Sequence, residues 1–152
     1  SLLSGGNSSR MNKAIVDEKQ LAVQAGAFNY ALEDAGLFIT FGIANMNVKP
    51  EDLEKEIQVV VDGVKNDLVG EREFEKVRNK ITTDFVNKNA SMAGIAESLA
   101  DYQVYFGDAN LVNTEINRYN KVTREDLMKV AQKDLNKENR VTLYYVPKGS
   151  KK

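Results

Sequence analysis

The chain has 152 residues, the length of one domain, and 21 Lys and Arg against 22 Asp and Glu leave a formal net charge of −1. Hydrophobic residues make up 42% and charged residues 28%, a globular balance that excludes a collagen or a disordered tail, and no apolar run reaches the ~18 residues of a membrane span. Balanced charge argues against nucleic acid as a partner, and the absence of Cys and His excludes a disulfide framework, a thiolate or His-ligated metal, and a Ser-His-Asp triad within the chain.

The sequence opens Ser1-Leu2-Leu3-Ser4-Gly5-Gly6, without an initiator Met or a signal-peptide pattern, and reads as a segment of a longer polypeptide. A helix is predicted over about Ser8 to Lys19, capped by Ser8 or Ser9, with Met11 and Ile15 on its buried stripe. Ala22 to Tyr30 and Leu37 to Ala44 read as two strands joined by the turn Glu33-Asp34-Ala35-Gly36. The second strand is apolar on both faces, as expected inside a sheet.

Pro50 opens the next helix, where its missing N–H costs nothing, and Glu51 and Asp52 complement the helix dipole. Leu53, Ile57, Val60, Val61, Val64 and Leu68 form one apolar stripe, and Gly70 is predicted to end the helix as a left-handed cap. A second helix begins near Glu71 with Phe74, Val77, Ile81 and Phe85 inward. It is interrupted at Asn87 to Ser91 and resumes with Ile95, Leu99, Tyr102 and Phe106 up to Gly107. Asn113 to Tyr119 reads as a short helical turn. Thr123 to Asp126 is a capping-box start for a helix carrying Leu127, Val130, Ala131 and Leu135. Arg140 to Val146 is predicted as a closing strand stopped by Pro147. The order indicates one α+β domain over residues 1–147, an antiparallel sheet of at least three strands layered with helices. Residues 148–152 form a polar tail.

The candidate motifs are weak individually. Gly5-Gly6-Asn7-Ser8-Ser9-Arg10 lacks the Lys-Ser/Thr of a phosphate loop and reads as a helix-start turn. The pairs Asp17/Glu18, Glu33/Asp34 and Glu51/Asp52 are adjacent residues that diverge, so solvated faces and caps account for them better than a metal or a catalytic dyad. Tyr102, Tyr105 and Phe106 read as core packing rather than a substrate wall. Tyr144 and Tyr145 must face opposite sides of a strand.

Taken in order, several segments carry a resemblance. Leu3 to Ala22 has a glycine pair, a Ser-Ser-Arg helix start and a charged helix end that leads through Leu21-Ala22 into a strand. Glu73-Phe-Glu-Lys-Val-Arg78, Ala96-Glu-Ser-Leu-Ala100, Val122-Thr-Arg-Glu-Asp-Leu127 and Arg140 to Pro147 follow at matching spacing. Nearly the whole chain thus resembles the C-terminal, non-catalytic domains of the pitrilysin/insulinase family of zinc metallopeptidases. The resemblance implies a two-layer α+β fold, here lacking its first strand or strands, that walls a closed chamber. It implies no cofactor in this chain, zinc in a homologous zinc-bearing domain or subunit, and unstructured peptides as substrate. A periplasmic or envelope location is implied by exported bacterial members. In active members an Arg, and a Tyr seven residues later, reach the scissile region; alignment on Asp17 to Ala22 puts Val16 and Val23 there. Neither side chain donates a hydrogen bond, so no catalytic, metal or firm substrate-binding residue is assigned. A non-enzymatic scaffold of the same family is the alternative. A stand-alone ligand-binding module is a third reading.

Overall fold

The structure, a computed structural model, describes residues 2–32 and 34–147. The sequence-predicted tail 148–152 and the turn residue Glu33 lie outside the described residues. The chain divides into two compact units, one of residues up to Leu68 together with those from Met128, the other of Val69–Leu127.

In the first unit a π-helical segment, Asn12–Glu18, leads into strands β1 (Ala22–Ala31) and β2 (Gly36–Ala44). The predicted first helix is thus present but wider than an α-helix, with the Lys19 N–H reaching back five residues to the Ala14 carbonyl. Its inner face is as predicted, since Met11 and Ile15 are completely buried. The strands pair antiparallel from Ala31↔Gly36 to Ala22↔Ala44, with an irregularity between Ala22 and Gln24. The tight end of the hairpin is closed by the Leu32 N–H bonding the Ala35 carbonyl.

Helix α1 (Pro50–Asn66) covers the base of the hairpin. Its stripe follows the periodicity up to Val64: Leu53, Val60, Val61 and Val64 are buried with Leu3, Met11, Ile15, Ala22, Ala25 and Ala131 in one cluster with Ile57 packed against it, whereas Leu68 lies beyond the helix and is exposed. Gly42 makes the approach possible. A Cβ there would lie 2.8 Å from Leu53 Cδ2, inside van der Waals contact. Near the helix's C-terminus, Gln132 Nε2 donates to the Lys65 carbonyl at 2.8 Å.

Gly70 is not a left-handed cap. Helix α1 stops at Asn66, Asp67 is extended, and Gly70 is an extended N-cap with φ −59°. The chain leaves the helix early because Val69 is completely buried in that extended link.

The second unit is helical: α2 (Glu71–Lys88), α3 (Met92–Phe106), α4 (Leu111–Lys121) and the start of α5 (Arg124–Asp134). The predicted interruption falls between α2 and α3, where the Ser91 hydroxyl accepts from the Gly94 N–H at 3.0 Å. Gly107 closes α3 with φ 72°, a conformation suited to glycine. Thr123 and Asp126 exchange reciprocal bonds of 3.1 and 3.0 Å, the predicted capping box. Core packing of the α3 aromatics is not observed. Leu99, Tyr105 and Phe106 are exposed, and the buried residues of α3 are Gly94 and Ser98. Small residues let α3 approach closely: the Lys88 carbonyl oxygen lies 1.8 Å from the place of a Cβ on Gly94.

The closing strand is a further departure. Among the described residues the sheet has two strands, and 141–147 follow a 3-10 turn (Lys137–Asn139) without joining it. The segment lies along α1 instead. Arg140 Nη2 donates to Glu54 Oε1 at 2.8 Å and Thr142 Oγ1 to the same oxygen at 3.1 Å. The Tyr144 hydroxyl donates to Glu54 Oε2, and Arg140 Nη1 to Gln58 Oε1. The sequence pattern of a strand is present, but no neighbouring strand supplies the ladder that defines one.

Two expectations follow. Gly94→Ala collides with backbone, so it should destabilise the helical unit by about 1–3 kcal/mol, whereas Gly70→Ala, with open space at its Cβ, should stay within about 0.5 kcal/mol. Thermal unfolding of the two variants checks this. The Tyr144 hydrogen bond, with Thr142 and Arg140, holds the Glu54 carboxyl below its usual value, and the same bond raises Tyr144. A lowered folded-state carboxylate adds stability above its unfolded value, ~4.3, that is lost as pH falls through the lower folded value. A raised tyrosine adds stability below its unfolded value, ~10, that is lost as pH rises further. Segment 140–146 should therefore be held across the neutral range and loosen in acid below about pH 4. The pH dependence of the Tyr144 ring signals in NMR measures this, and Glu54→Gln should remove the acid limb.

Candidate functional site

Position 16 lies in the π-helical segment and position 23 just past the start of β1. Val16 is half-buried against the core cluster, so its isopropyl group acts as packing. Val23 falls at the irregularity of the β1–β2 register, where Ala22 pairs with Ala44 and Gln24 with Ile43, and it is 60% exposed. A π-helical turn and a bulge are the devices by which a backbone aims side chains at a site. Both devices are present, and both carry hydrocarbon. Nearby polar residues do not take over. The Arg10 guanidinium is directed to α1, with Nη1 3.8 Å from the place of a Cβ on Gly63.

The acidic pairs stay apart. Asp17 Oδ2 accepts from Asn12 Nδ2 at 3.4 Å, Asp52 pairs with Lys55 at 3.0 Å, and Lys19 bonds Glu56 on α1. Among the described residues no group of three or more Asp or Glu side chains converges to hold a metal ion. With no His and no Cys in the chain, the donor set for a resident zinc is missing, and the residues do not fit one.

A shallow cleft of about 200 Å³ in the helical unit is lined by Glu71, Phe74, Glu75, Arg78, Thr123, Arg124 and Glu125, residues that the sequence assigned to a helix face and a capping box and not to a site. Its cations serve the fold. The Arg78 guanidinium lies 4.6 Å over the Phe74 ring, and Nη2 donates to the Val122 carbonyl at 3.1 Å. Arg124 Nη1 donates to the Val69 carbonyl at 3.4 Å. Arg78 Nε is buried without a hydrogen-bond partner. The cleft therefore ties the first turn of α2 to the capping box of α5 and offers no nucleophile or acid–base pair.

The aromatic candidates also divide. Tyr102 and Phe106 ring centroids are 6.1 Å apart, and burial, with Glu115 beside it, raises the Tyr102 hydroxyl. Tyr144 and Tyr145 face opposite ways as the strand pattern requires, but Tyr144 meets the Glu54 carboxylate rather than a core. Glu54 gathers Arg140, Thr142 and Tyr144 around one carboxylate in the first unit. No signal in the sequence linked α1 to the C-terminal segment, because the partners are 86–90 residues apart.

Comparison with known proteins agrees with this inventory. A zinc protease of Helicobacter pylori, PqqE, is 30% identical over 146 residues, covering 96% of this chain and 33% of its own length. The crystal structure of a Helicobacter pylori protease superposes with a TM-score of 0.79 at 30% identity, over 87% of this chain and 32% of that one. The chain thus spans about a third of the length of these relatives. An inactive peptidase domain of a candidate zinc protease from Bordetella parapertussis has the same fold, with a TM-score of 0.84 at 19% identity over 98% of this chain and 80% of that one. The family model of the Peptidase M16 inactive domain matches residues 1–81, and the chain belongs to that family.

Proposed function

We propose that this chain is a wall of the substrate chamber of a zinc peptidase that hydrolyses unstructured peptides. A homologous domain or subunit outside the chain supplies the zinc and the reacting groups. The observation that carries this reading is the pairing of an inactive-domain sequence with a chain that has no His and no Cys. Enclosure contributes to catalysis without chemistry of its own, by admitting only narrow, unfolded chains and limiting their orientations near the metal.

Val16 and Val23 favour a second reading, a non-enzymatic scaffold that holds partner domains together. An Arg and a Tyr at these places would supply a fixed cation and an oxyanion donor, and the valines supply neither.

Purified chain should hold well under one zinc per molecule by elemental analysis after dialysis against a weak chelator. Bound stoichiometric zinc would sink the assignment. The double variant Val16→Arg, Val23→Tyr in the native assembly separates the two readings. A wall beside a working centre should gain kcat/KM on a fluorogenic unstructured peptide by tenfold or more, since one aligned oxyanion donor is worth about 10²–10³. An unchanged rate favours the scaffold.

A further inference from the structure

We draw no further inference here: the strongest candidate, the shallow cleft between the first turn of α2 and the capping box of α5, belongs to the tie already described, because Arg78 is taken up by the Phe74 ring and the Val122 carbonyl and Arg124 by the Val69 carbonyl.

Discussion

The first unit depends on the contact of α1 with the base of the hairpin. Leu53, Val60, Val61 and Val64 fill the space over β2, the π-helical segment and Ala131, and the helix can descend that far because position 42 carries no side chain. Burying such side chains contributes about 1.5–3 kcal/mol each against the entropy of ordering the chain. Everything else in the unit is positioned from α1. Lys19 is tied to it at Glu56, the α5 helix at Lys65, and the C-terminal segment at Glu54 and Gln58. The surface pairs among these add little individually. Their effect is to choose one arrangement among several that the apolar core alone would accept.

The far half of the hairpin contrasts with that base. Phe28, Tyr30, Leu32, Leu37 and Phe38 remain exposed, although the Phe28 and Phe41 rings meet edge to face at 6.3 Å. The second strand is apolar on both faces, which normally marks an interior strand of a covered sheet. Among the described residues the sheet has two strands, and neither edge has a further partner strand. The same excess of apolar surface recurs at Val141, Leu143 and Tyr145 and along α3 at Met92, Val104, Tyr105 and Phe106. Isolated exposed apolar residues are ordinary, whereas registers of them mark contact surfaces.

Local signals were legible in the sequence and distant ones were not. Pro50, the Thr123–Asp126 box, the Ser91 break and Gly107 each act within one helical turn, and each stands where its chemistry puts it. The α1 stripe was equally readable, because helical period and burial agree. The misplaced cap at Gly70 shows where local reading ends. Glycine permits a left-handed cap without requiring one, and the burial of Val69 decided the backbone instead. The closing strand failed for a related reason. Alternation at 140–146 specifies which side chains share a face, but a strand also needs a neighbour, and no pattern within a segment reveals whether one is there. For the functional site, the informative signal was negative. The absence of histidine is visible in the sequence, while the Glu54 cluster joins positions some 90 residues apart and leaves no trace in local spacing.

Positions 16 and 23 differ in what holds them. The π-helical turn around Val16 and the register break at Val23 are both present, although neither is the least strained way to build a helix or a strand. The buried Met11 and Ile15 explain why the first persists. The wide turn is locked by core packing, and straightening it would move residues that are completely buried. No such packing holds Val23, which stands in solvent. Core packing therefore fixes position 16, whereas position 23 is open to change. Polar residues introduced at the two positions test this difference, because the one at 16 displaces core packing and the one at 23 meets solvent.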